Sequence, residues 1–165
     1  MSVLPSGVGV SRAEDRRRIL WAGSTTFDLV LDSAHTQGSV ALLDQTGRRG
    51  DTTPMHIHHG EAEIFYVLEG DIVAWAGDDQ LSLGAGGALY LPPDQQHAFG
   101  IVSPTARLIS VTAPAGFAGF VQQAGVPVEG EVPATWEFDL GALMAAAPAH
   151  QIEIVGPPPA LPDSV

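Results

Sequence analysis

The sequence predicts an all-β fold, built as one small barrel, on three observations. From Ser24 to about Thr112 the chain consists of short apolar runs separated by Gly, Pro and Asp, the spacing of a sandwich or barrel. No segment with helical period interrupts that region, which argues against a parallel α/β sheet. No internal repeat is present, so one barrel is expected rather than two.

The elements follow in order. Residues 1–23 read as an N-terminal arm, whose arginines (Arg12, Arg16, Arg17 and Arg18) suit a solvated segment rather than a polyanion site. Residues 24–113 form the barrel. Its candidate strands are Thr26–Leu31, Ser39–Leu43, Met55–His58, Ile64–Leu68, Ile72–Ala76, Gln80–Leu83, Ala88–Leu91, Ala98–Val102 and Arg107–Thr112. Glu69-Gly70-Asp71 and Gly77-Asp78-Asp79 supply tight connections. Residues 114–165 form a helical and Pro-rich extension. Phe117, Phe120 and Val121 recur at i, i+3 and i+4, predicting a short helix over Gly116–Ala124. Residues 125–135 read as an extended strap. Asp139 is placed to cap a helix from Leu140 to about Ala147, with Leu140, Leu143 and Met144 on one face. The tail from Gly156 is Pro-rich and reads as extended or disordered.

Composition excludes several function classes. The chain has 165 residues, with 19 acidic against 7 basic side chains and a net charge of −12. A surface so acidic cannot neutralise phosphates, which argues against nucleic acid and anionic membranes as partners. Cys is absent, which removes disulfides, thiolate ligands and a Cys nucleophile. Lys is absent too, which removes Schiff-base chemistry. No run approaches the ~20 apolar residues of a membrane span, and the first residues lack the pattern of a leader. A cytoplasmic location is the expectation.

Three of the six histidines crowd into His56-Ile57-His58-His59. Residues i and i+2 of a strand share a face, so His56 and His58 converge while His59 points away into the turn at Gly60. Glu61 and Glu63 follow with the same parity. Glu63 starts the next strand, sharing its face with Phe65 and Val67, whereas Glu61 lies in the connection and is expected to be exposed. Imidazole and carboxylate donors on rigid strands suit a borderline divalent ion, and composition does not choose among Fe, Mn, Ni, Co, Cu and Zn. Ile64-Phe65-Tyr66-Val67-Leu68 is apolar on both faces, as in a strand covered on both sides. A homodimer is one way to cover its outer face.

Gly50-x5-His56-x-His58-x4-Glu63-x6-Gly70 resembles the first motif of the cupin superfamily at every fixed position. Gly86, Pro92 and His97 meet the second motif, which departs at Asp94, where the family has Gly, and at Ile101, where it often has Asn. Neither departure touches a ligand. The resemblance implies a double-stranded β-helix (jelly-roll) barrel holding one divalent transition metal through His56, His58, Glu63 and His97. The chain is most similar to small single-domain members related to quercetin 2,3-dioxygenase. That likeness rests on Glu63–Gly70, on the Pro-Ala-Gly-Phe-Ala-Gly-Phe run at 114–120, and on Ile152–Pro158.

What the resemblance implies is a dioxygenase acting on a small hydroxylated aromatic or enol substrate with O₂. Glu63 would serve both as a ligand and as the catalytic base for the substrate hydroxyl. Phe65, Phe99, Trp75 and Tyr90 are candidates for the pocket wall, Phe65 and Phe99 favoured by parity with Glu63 and His97. The rivals are a non-redox metal cupin (isomerase, cyclase or lyase), a ligand-binding barrel without turnover, and a metal-free barrel.

Overall fold

Between Glu63 and Val67 the side chains alternate strictly: Glu63, Phe65 and Val67 are buried, while Ile64 and Tyr66 face outward. This period of two is repeated through most of the chain and makes one inner face. The computed structural model describes residues 6–162, so residues 1–5 of the expected arm and 163–165 of the tail lie outside the described residues.

Among the described residues twelve strands, numbered in chain order, form two antiparallel sheets. The larger sheet contains β1 (Arg17–Leu20), β2 (Thr26–Leu31), β3 (Ala41–Arg48), β5 (Ala62–Glu69), β8 (Ala88–Leu91), β10 (Thr105–Ala113) and β11 (Val126–Val128). Its order is β11-β1-β2-β3-β10-β5-β8. The smaller contains β4 (Met55–His58), β6 (Asp71–Ala76), β7 (Asp79–Gly84), β9 (His97–Ile101) and β12 (Ile152–Gly156), in the order β12-β4-β9-β6-β7. The expected all-β jelly roll is what the chain adopts.

Two cores hold it. Phe65, Val67 and Leu108 from the larger sheet meet Ile72, Ala74, Phe99 and Ile101 from the smaller, filling one end of the barrel. Burial of a side chain such as Phe65, 2% exposed, contributes on the order of 2–3 kcal/mol. At the other end Trp21, Phe27, Phe120, Leu143 and Ile152 cluster, with Trp21 edge-on to Phe27 and Phe120 at 5.6 and 5.4 Å. The helices α2 (Gly116–Ala124) and α3 (Leu140–Ala146) bring in Phe120 and Leu143, and Asp139 caps α3 by accepting the Ala142 amide hydrogen at 3.0 Å.

The structure adds elements that sequence patterning did not resolve. Arg17–Leu20, read as part of the arm, pairs with β2 because Ile19 and Leu20 are each buried to 3% exposure. Arg17 and Arg18 pair with Asp32 and Asp28. Val126–Val128 joins the far side of β1, and Ile152–Gly156 covers the edge of β4. A single helical turn, α1 (Ser33–Thr36), is capped by Asp32. Among the described residues no helix is long and apolar enough to cross a membrane.

Two turn glycines are under different constraints. Gly70 has φ +78°, and a Cβ there would lie 2.2 Å from the Thr105 carbonyl oxygen, whereas Gly86, φ +85°, has open space around it. Gly86→Ala should therefore cost about 1 kcal/mol, the left-handed penalty alone. Gly70→Ala should cost roughly 3 kcal/mol or more, because backbone must also move. Urea denaturation of both variants checks this, and equal losses would contradict it.

Candidate metal centre

Antiparallel register brings the site together. His56 on β4 lies directly opposite His97 on β9, and His58 follows two residues along the same face. Glu63, the second residue of β5, faces them from the larger sheet, flanked by Leu91 and Thr112. Metal-competent atoms of His56, His58, Glu63 and His97 all lie within 4.8 Å of one another, and all four residues are buried. A single cation can reach all four donors after modest side-chain adjustment.

The hydrogen bonding sets the tautomers. The Nδ1–H of His56 donates to the Pro54 carbonyl at 2.8 Å, and that of His97 to the Gln95 carbonyl at 2.8 Å. A carbonyl oxygen cannot donate, so both rings turn an Nε2 lone pair inward. For His97 that lone pair meets Glu63 Oε2 at 3.1 Å. Two acceptors this close repel unless a proton or a metal cation is shared between them. His58 is 2% exposed and neither ring nitrogen has a hydrogen-bond partner. An orphaned imidazole aimed into such a cluster is what a metal ligand looks like before its ion is counted.

Charge reinforces this geometry. Burial, with His97 and His58 beside it, pushes the His56 pKa down to about 3, so its imidazole is neutral and ligand-ready at ordinary pH. For His58 burial acts downward, but the Glu63 and Glu61 carboxylates outweigh it and raise the pKa. Burial likewise acts to raise Glu63, yet the His58 and His97 rings hold its pKa below the usual value, so it stays ionised.

Glu61 corrects the expectation of exposure. It is 6% exposed, its Oε1 accepts the Phe117 amide hydrogen at 2.9 Å, and its Oε2 stands 3.7 Å from His58 Nδ1. That separation is too long for a hydrogen bond, so Glu61 acts on His58 by charge. The Phe117 ring covers His58 at 5.2 Å. His59 points away as expected, bonded to Asp94 and Glu153. Asp94 takes φ +66°, the left-handed turn for which Gly is the common choice.

A cavity of about 450 Å³ opens onto His56 and Glu63. Phe65 and Phe99 line it as parity predicted. Trp75 and Tyr90 do not. Trp75 lies on the face of β6 opposite to Ile72 and Ala74, and Tyr90, paired with Ile64 and 60% exposed, is on the outside of the barrel. Their places on the wall are taken by Phe117 and Phe120 from α2 and by Trp21. The helical stripe at 117–121 was legible, but not that it closes on the cavity.

Glu61→Gln retains an acceptor for the Phe117 amide but removes the charge beside His58. Its divalent-metal affinity, measured by equilibrium dialysis, should fall roughly 10–100-fold with the fold intact. Unchanged affinity would contradict a role for that charge.

Comparison with known proteins agrees with this geometry. Residues 46–112 match the family model described as Cupin domain. Quercetin 2,3-dioxygenase of Bacillus subtilis is 29% identical over 141 residues, covering 83% of this chain, and the chain spans only 40% of that relative's length. Among solved structures, KdgF from a Halomonas species superposes with TM-score 0.57 at 16% identity over 64% of this chain and 92% of that one. A predicted oxalate decarboxylase from Thermotoga maritima gives 0.58 at 17% identity, over 64% and 98%. At such identities these two structures speak for the fold alone. Over the matched segment, which contains the candidate metal centre, the chain resembles the small quercetinase-like cupins.

Proposed function

We propose that this cupin is a metal-dependent dioxygenase of quercetinase type, acting with O₂ on a small hydroxylated aromatic or enol substrate. The observation that carries the reading is the apolar, aromatic cavity ending on an ionised, buried carboxylate within a three-histidine cluster. Phe65, Phe99, Phe117 and Phe120 suit a planar ring system, and a cavity of about 450 Å³ falls in the range of small-molecule sites.

The residues have separable roles. His56, His58 and His97, together with Glu63, would hold the ion, with Nδ1 of His56 and His97 fixed by backbone carbonyls. Glu63 reaches both the cluster and the cavity, and it accepts the proton of a substrate hydroxyl presented there. Phe117 and Phe120 exclude water and hold the ring plane. A divalent transition metal held in this centre supplies Lewis acidity toward the substrate oxygen and a template for O₂. The Bacillus relative's name supports this class of reaction, though the chain matches less than half of that protein. The absence of cysteine fits the proposed cytoplasmic location.

The chain is further proposed to form homodimers through the outer face of β5 and β8. Ile64, Tyr66 and Tyr90 are 39%, 44% and 60% exposed there, and neither the described arm nor the tail covers them. Light scattering should give twice the chain mass for the wild type and a monomer for Tyr66→Glu. A monomeric wild type would contradict the proposal.

Oxygen consumption tests the chemistry. Metal-loaded protein should take up O₂ with flavonols, catechols or stable enols, and His56→Ala should abolish that uptake. Turnover of the same compounds under argon, or no uptake by any of them, would contradict a dioxygenase and favour the non-redox cupins.

A further inference from the structure

At Asp94 the chain carries a carboxylate where the backbone alone asks for glycine. Its φ of +66° is a conformation that Gly adopts freely and that other residues adopt at a cost, smallest for Asn and Asp. The carboxylate has a use of its own. Its Oδ1 accepts the Nδ1–H of His59 at 2.7 Å, while the Asp94 amide donates to the His58 carbonyl at 3.0 Å. On its other side the His59 ring meets Glu153 of β12, Nε2 to Oε2, at 2.8 Å. The His59 amide donates to the Gln151 carbonyl at 2.8 Å, just ahead of that strand. One residue at the end of β4 therefore ties that strand both to the turn at 92–96 and to β12.

That turn sets the orientation of His97. Gln95 follows Asp94, and its carbonyl accepts the His97 Nδ1–H at 2.8 Å, leaving Nε2 turned toward Glu63. Two tethers flank this carbonyl. From the β6–β7 hairpin the Gly77 amide donates to the Gln96 carbonyl at 2.9 Å, and on the other side Asp94 reaches β4. Among the described residues the strand pairing between β4 and β9 is the single pair His56 and His97, so the sheet itself adds little at this end. The His59 and Asp94 side chains are 44% and 67% exposed. Exposed ion pairs contribute little to global stability. What this bridge can change is where the turn sits.

We propose that His59 and Asp94 are positioning residues for His97: their bridge fixes the 92–96 turn, so that the Gln95 carbonyl holds the His97 ring with Nε2 facing the cluster. The inference rests on reading His97 as a metal ligand. It gives the Asp94 carboxylate a function that a glycine at this position could not perform, and it gives His59, which points away from the cluster, a part in building it.

The test compares wild type with Asp94→Gly, Asp94→Asn and His59→Ala, using histidine-labelled protein for NMR and Zn²⁺ as the probe metal. In metal-free wild type the His97 Nδ1–H should give a resonance protected from solvent exchange. Asp94→Gly and His59→Ala should speed that exchange roughly tenfold, because the turn opens more often. Each should also raise the Zn²⁺ Kd roughly three- to tenfold, less than the loss of a group bonded directly to a ligand. Asp94→Asn keeps an oxygen for the His59 ring and should stay near wild type. Combining Asp94→Gly with His59→Ala should add nothing further, since both cut one bridge. Unchanged His97 exchange in both single variants overturns the inference, whether or not Zn²⁺ binds. Effects of the two substitutions that simply add overturn it as well, and so does a shift in melting temperature with exchange and Zn²⁺ affinity unaltered. A wild type that holds no Zn²⁺ strikes the metal reading instead, and the exchange measurement still decides on the bridge.

Discussion

Three imidazoles and a carboxylate buried together in a barrel interior are the constraint on which this structure turns. Each ring and the carboxylate are cut off from water, and burial, with the His97 and His58 rings alongside, pushes His56 down to about 3. Removing charged or polar groups from water is costly unless they satisfy one another. Here they do so only partly. His97 and Glu63 face each other at 3.1 Å, while His58 has no partner for either ring nitrogen. A shared divalent cation would satisfy all of these groups at once. Metal binding and the folding of this region are then expected to be coupled.

The jelly-roll topology makes that cluster possible. The smaller sheet supplies all three histidines from adjacent strands, and the larger one delivers Glu63 across the interior. Edge coverage by β12 protects β4, the strand carrying two of the donors. Helix α2 is tied to the centre by the Phe117 amide on Glu61, so the aromatic wall and the environment of His58 are set by the same contact. The wall and the ligands therefore respond to change as one unit.

Much of this was legible in the sequence because strand periodicity is local. His56 and His58 share a face through a period of two, and Glu63, Phe65 and Val67 follow by the same rule. What escaped depended on long-range pairing. Glu61 is buried because a helix 56 residues further along the chain closes over it. Tyr90 and Trp75 face outward because of register. The Glu63–Leu91 pairing turns Leu91 inward and Tyr90 out, and nothing local to Tyr90 specifies that pairing. Strands β1, β11 and β12 are short, and their stability comes from neighbours rather than from their own propensity. Asp94, which departs from the family motif, adopts the left-handed conformation that a Gly would supply.

The central claim is that His56, His58, Glu63 and His97 hold one divalent metal. X-ray absorption at the edge of whichever metal copurifies tests it most directly, because imidazole rings give a distinctive outer-shell scattering pattern. The account predicts one metal per chain in an all nitrogen and oxygen shell, with the imidazole contribution of three rings. A shell without imidazole scattering, or a freshly purified protein that holds no metal, would contradict it.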